Sequence, residues 1–157
     1  MTLAAQLSWY SPGGRPARRW LARRWLWRAA PDELAFQGTS FAETRETAEL
    51  YLANPGFGGA NLYRVRVAPN EGNAVDLTGW SARELAARLM GWPDPGAVEI
   101  DEWLPQQPEV LDALAAGGIE WALVSESYPA ETVTWIWTGE TESVPDLELE
   151  QVTARGP

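Results

Sequence analysis

The spacing of hydrophobic and polar positions changes several times along the chain, and each change marks an element. Residues 4–10 read as a short strand, ended by the turn signal Ser11-Pro12-Gly13-Gly14. Residues 16–28 suit a helix with Pro16 in its first turn. Trp25, Leu26 and Trp27 are consecutive, however, so the second half of that segment also fits an extended strand. Residues 34–37 read as a strand running into Gly38-Thr39. Ser40-Phe41-Ala42-Glu43 then has the spacing of a capping box, with Ser40 as N-cap and Glu43 reaching back. The helix so opened carries Phe41, Ala48 and Leu52 at helical spacing and stops before Asn54-Pro55-Gly56. Residues 62–67 alternate, with Tyr63, Val65 and Val67 on one face and Arg64 and Arg66 on the other, which predicts a half-buried strand.

Residues 74–77 form a further short strand, and Ser81-Ala82-Arg83-Glu84 is a second capping box, opening a helix that ends at Gly91. Residues 92–105, rich in Pro, Asp and Trp, read as an irregular loop. A helix over 108–116 is closed by Gly117-Gly118, and strands follow at 119–124, 132–138 and 147–152. The pattern predicts an α+β fold in a single domain, residues 1–157. Its helices lie in the N-terminal half and pack on a mainly antiparallel, strand-rich C-terminal half.

Composition narrows the chemistry. The 157 residues include no Cys and no His, and all twelve basic residues are Arg. Thiolate and Ser-His catalysis, zinc fingers, Schiff-base lysines and P-loop lysines are therefore excluded. Carboxylates, Tyr, Ser and Thr remain for acid–base work, with Arg as their electrostatic partner. The net charge of −10 argues against a general nucleic-acid binder. That average hides an Arg/Trp-rich segment, residues 1–30, with six Arg and no acid. The remaining residues, 31–157, set six Arg against 22 acids, a net of −16. The Arg-rich segment is expected to dock on the acidic body or to contact a pyrophosphate. No apolar run is long enough for a membrane span and no secretory signal is visible, so a cytoplasmic location is the default expectation.

Several short motifs recur in a telling order: Trp9-Tyr10-Ser11, then Phe36-Gln37-Gly38-Thr39-Ser40-Phe41, then a helix with Ala48 and Tyr51. Leu62-Tyr63-Arg64-Val65, Val75-Asp76-Leu77-Thr78 and Val124-Ser125-Glu126-Ser127-Tyr128 follow. In this order residues 5–138 resemble the small ADP-ribosyltransferase-like domains of bacterial toxins and phage counter-defence proteins. The resemblance implies a split sheet, NAD as cofactor and transfer of ADP-ribose to a macromolecular acceptor. Glu126 would be the catalytic acid, and Tyr10, Thr39, Ser40 and Tyr51 would bind NAD, with Arg18 on the pyrophosphate. Tyr10 stands where the family has His or Arg; a rival register puts Gln37 in that place. Cleavage of nicotinamide passes through an oxocarbenium-like ribosyl cation, which a carboxylate stabilises without any metal, Cys or Lys.

Each of these residues also has a plainer reading. Ser40 is explained by the capping box, Tyr10 and Tyr51 by packing at the core edge, and Glu126 by a solvated turn. Asp76 either orients Thr78 or ends a strand. Of the ten Trp, Trp135 and Trp137 fall on one sheet face, whereas Trp80, Trp92 and Trp103 lie in loop contexts that suit a partner surface. Residues 140–157 form an acidic C-terminal strand and tail. They read either as a charge-protected edge or as an imitation of nucleic-acid phosphate. The alternative function is accordingly a non-enzymatic acidic binding or inhibitor protein with a protein partner.

Overall fold

The computed structural model describes residues 2–9, 24–31, 36–52, 61–69, 72–78, 80, 82–90, 108–126, 132–139 and 147–152. Along the chain run helix α1 (Leu3–Trp9), strands β1 (Arg24–Ala30) and β2 (Ser40–Ala42), and helix α2 (Arg45–Leu52). Strands β3 (Asn61–Val67) and β4 (Ala74–Asp76) and helices α3 (Ala82–Met90) and α4 (Pro108–Ala116) follow. The chain closes with β5 (Trp121–Glu126), β6 (Thr132–Trp137) and β7 (Glu148–Val152).

The first element is a helix rather than the expected strand. Ala4 and Leu7 are buried on one helical face while Ala5 is exposed. Thr2 caps it, its Oγ1 accepting from the Ala5 N–H at 3.1 Å. The consecutive Trp25-Leu26-Trp27 lie in a strand, the extended option for that segment. Phe36 and Gln37 belong to a turn in which Gly38 takes a φ of 86°, so the strand expected up to Gln37 does not reach that residue.

The strands form one seven-stranded sheet in the order β4-β5-β6-β2-β1-β3-β7. Only the β4–β5 pair is parallel. The fold is thus mixed, four helices with a mostly antiparallel sheet, but helices and strands interleave instead of separating into halves. The parallel pair explains this: joining two parallel strands needs a long crossover, and α3 and α4 supply it.

All four helices pack on one face. There Ala122, Val124 and Ile136 meet Ala4 and Leu7 of α1, Leu85 of α3 and Val110, Leu111 and Leu114 of α4. Further along the same face Ala48 of α2 covers Ala42 and Leu62. The opposite face carries Leu26, Phe41, Val65, Leu123 and Trp135, and of these Leu26, Phe41, Leu123 and Trp135 have no exposed surface. Its rings meet edge-on: Phe41 and Trp121 centroids lie 5.5 Å apart at 79°, and Trp121 and Trp135 lie 6.5 Å apart at 72°. As the alternation of residues 132–138 predicts, Trp135 and Trp137 share this face, both close to Trp121.

This face closes because the sheet curls. Val67 at the end of β3 and Ala74 at the start of β4 share its core, although four strands separate β3 from β4. A flat sheet would put those strands about 24 Å apart at about 4.8 Å per strand, the full reach of the connection. Its two ends instead lie together, since Asn73 Nδ2 donates back to the Ala68 carbonyl at 3.4 Å.

Trp80, expected on a partner surface, is instead half-buried, and its Nε1 donates to the Leu7 carbonyl at 3.3 Å, tying α1 to the start of α3. Trp92 and Trp103 lie outside the described residues. No helix among the described residues is long and apolar enough to cross a membrane.

Replacing Trp135, which has no exposed surface, by Ala is expected to cost about 3–5 kcal/mol in equilibrium denaturation. Leu50→Ala, at a side chain 47% exposed on α2, should stay within about 0.5 kcal/mol by the same measurement.

Candidate functional site

Ser40 does not cap a helix. It opens β2, pairing with Ile136, while Phe41 pairs with Trp135. The cap of α2 lies one turn later: Thr44 Oγ1 accepts from the Thr47 N–H at 3.3 Å and shares a 2.9 Å hydrogen bond with the Thr47 hydroxyl. Two distant partners decide between these adjacent signals. Phe41 is drawn into the ring cluster, and Glu43 is taken by Arg24 Nη1 at 2.8 Å and Trp135 Nε1 at 3.3 Å. Glu43 is therefore not free to reach back to Ser40. The Arg24 guanidinium also lies 5.2 Å from the Trp135 ring centroid.

Freed from capping, Ser40 borders a cleft between α2 and the strands β1, β2 and β6. The cleft encloses about 40 Å³, and its walls include Trp27, Arg28, Ser40, Ala48, Tyr51 and Thr134. The sheet geometry explains who meets there. Trp27 pairs with Ala42, and Ala42 with Thr134, so Trp27 and Thr134 share the helix-bearing face. From above, α2 brings Ala48, with Tyr51 one turn further along. Arg28 Nη1 donates to the Ser40 carbonyl at 3.1 Å and holds the start of β2 in place. The Thr134 hydroxyl donates to the Phe41 carbonyl at 3.0 Å, which leaves its oxygen lone pairs to accept.

Of the residues singled out in the sequence, Ser40 and Tyr51 come together at this cleft. Thr39 is next to it, its backbone fixed by the turn: its N–H donates to the Phe36 carbonyl at 2.9 Å. Glu126 ends β5 opposite Thr132, two residues from Thr134, and is described in its backbone only. Tyr10 and Arg18 lie outside the described residues. Gln37, the rival for the first-strand position, spends its amide on Asp112 Oδ1 at 2.7 Å and the Thr138 carbonyl at 3.2 Å. It stitches the turn before β2 to α4. Asp76 does orient Thr78, its Oδ1 accepting from the backbone N–H at 2.9 Å and the hydroxyl at 2.6 Å.

Trp27, Arg28 and Thr134 were not sequence candidates. The first two sit in a segment whose pattern fits helix as well as strand, and Thr134 arrives from a strand far along the chain. The alternation Thr134-Trp135-Ile136 does carry a signal, a hydroxyl on the face opposite the indole.

Beyond α2 the same face is ionic. Arg64 stacks on Trp25 at 4.1 Å from the ring centroid and reaches Glu148 at 3.1 Å and Glu150 at 3.2 Å. Arg45 of α2 pairs with Glu49 at 2.8 Å and Glu150 at 2.9 Å. These contacts hold the Arg45 guanidinium above its usual pKa, the hydrogen bond with Glu49 contributing most. Two acids of the C-terminal strand are thus engaged within the molecule, as are Arg24 and Arg28 of the N-terminal segment. Among the described residues no group of acids is gathered closely enough to hold a metal ion.

Thr44→Ala should cost about 1 kcal/mol in thermal or chemical denaturation, while Ser40→Ala, which removes no cap, should cost markedly less. The reverse order would restore Ser40 as the cap.

Chemically, the cleft presents two aromatic walls, three hydroxyls and the backbone at the start of β2. That set suits a ligand carrying a flat ring and a sugar hydroxyl. No family model matches the chain, and no curated protein or solved structure matches it either.

Proposed function

We propose that the protein binds NAD and transfers ADP-ribose to a macromolecular acceptor, as an ADP-ribosyltransferase-like domain. The observation that carries this reading is the convergence of Ser40 and Tyr51, eleven positions apart, on one cleft beside the indole of Trp27. The motif order along the chain supports it independently. On this reading the whole chain is one domain, and its sheet corresponds to the split sheet of that superfamily.

The enclosed volume of about 40 Å³ admits a hydroxyl or a ring edge, not a whole dinucleotide. The remainder of NAD therefore extends along the mouth of the cleft. Tyr51 and Trp27 offer faces for an aromatic ring, and Ser40 and Thr134 offer hydroxyls to a ribose. Glu126, at the end of the strand next to Thr134's, is the acid assigned to the ribose hydroxyls. There it stabilises positive charge as the bond to nicotinamide breaks and the departing ring takes the bonding electron pair. The acceptor nucleophile then attacks the ribosyl carbon and gives up its proton.

Titration calorimetry with NAD tests the binding step. Millimolar or tighter binding is expected, weakened about tenfold by Tyr51→Ala, a loss of about 1.4 kcal/mol. Glu126→Gln should leave binding within about twofold but reduce NAD cleavage about 100-fold or more. No heat at several millimolar NAD would remove this reading and favour the acidic protein-binding alternative.

A further inference from the structure

The cleft has two kinds of wall, and they differ in how firmly they are held. On one side β1, β2 and β6 belong to the sheet ladder, with seven residue pairs between β1 and β3, three between β2 and β6 and one between β1 and β2. On the other side is α2, which belongs to no ladder. Its single buried residue is Ala48, packed with Ala42 and Leu62, and Leu52 is only partly buried. By comparison α4 buries Val110, Leu111 and Leu114. With Tyr51 and Leu52 half-buried and Ala48 its one fully buried side chain, α2 buries fewer apolar side chains than α4 does. A cleft of about 40 Å³ takes in only part of a ligand, and α2, which lies outside the ladder, is the wall whose movement would admit more of it.

Besides its packing, α2 has an ionic tie to the far edge of the sheet. Arg45, in its first turn, reaches Glu150 of β7 at 2.9 Å. Glu150 is placed there by an irregularity. Leu149 pairs with Tyr63 and Gln151 with Leu62, so Glu150 is the extra residue of a β-bulge. The bulge lets its carboxylate bridge Arg64 on β3 and Arg45 on α2 together, at 3.2 and 2.9 Å. With the side chains of Arg45 and Glu150 40% and 24% exposed, the tie is within reach of salt.

We infer that α2 is a gate on the cleft, latched in its closed position by the Arg45–Glu150 ion pair. Its value to a ligand rests on the cleft being the binding site proposed above, but the latch itself is testable without any ligand. Hydrogen–deuterium exchange at low ionic strength measures it, reading the amides of residues 48–52 against those of β5 and β6. Glu150→Gln removes the charge while Glu148 still holds Arg64, and hence β7, in place.

The expected result is a two- to fivefold faster exchange of the α2 amides in Glu150→Gln, the range for one exposed ion pair, with β5 and β6 unchanged. Arg45→Gln should do the same. Wild-type protein in 0.5 M NaCl should reach the rate of the variant, whose own rate should change little. Glu109→Gln on α4 removes a charge elsewhere and should have no effect. Unchanged α2 exchange in both variants would overturn the latch, as would equal acceleration across β5 and β6. If the exchange responds as expected but NAD does not bind, the gate stands and the ligand assignment falls.

Discussion

The indole of Trp135 is the contact around which the rest of the molecule is arranged. It stands on β6 between Phe41 of β2 and Leu123 of β5, edge-on to Trp121, and its N–H ends on Glu43. Each edge-on ring pair contributes about 0.5–1.5 kcal/mol beyond area burial. The larger consequence is geometric. Seating Phe41 against these rings pulls Ser40–Ala42 into extended form, which turns Ser40 and Ala42 to the opposite face and creates the floor of the cleft. A concave aromatic face on one side and a cleft on the other are two results of one strand register.

Charge is organised along the same lines. In a chain of net charge −10, three of the described Arg residues stand among acids. Arg24 answers Glu43 beside the aromatic core, Arg64 answers Glu148 and Glu150, and Arg45 spans Glu49 and Glu150. The acidic C-terminal strand is consequently joined to β3 by side-chain charge as well as by backbone. Glu49, Glu148 and Glu150 there set three carboxylates against the two guanidinium groups of Arg45 and Arg64.

What the sequence made legible follows from whether the deciding interaction is local. The helix at Pro108–Ala116 and its glycine stop, the alternation through Asn61–Val67 and the shared face of Trp135 and Trp137 all rest on neighbours within one turn or one pleat. The start of α2 differs from the expectation because two cap signals, Ser40-x-x-Glu43 and Thr44-x-x-Thr47, stand side by side, and the choice between them lies with Trp135, 92 residues away from Glu43. The first helix was missed for a different reason: seven residues are too few to separate a helical from an alternating pattern without the Thr2 cap. At the site, Ser40 and Tyr51 were visible because they share one short segment. Thr134 and Trp27 were not, since only the sheet order brings them there.

The weld between the two halves of the sheet is β2, three residues long. On one side of it lie β1 and β3, from the first half of the chain, with β7 from the far end at their edge; on the other lie β6 and β5, from the second half, with β4 beyond them. The contact that closes it, Thr134 to Phe41, spans 93 residues. In kinetic terms, this closure carries a large loop entropy and is expected late, after β1 has met β3 and β5 has met β6. Until it forms, Phe41 and Trp135 are not joined, so the aromatic face is the last to be completed. The nascent chain is thus most exposed to self-association at the moment before its central strand is inserted.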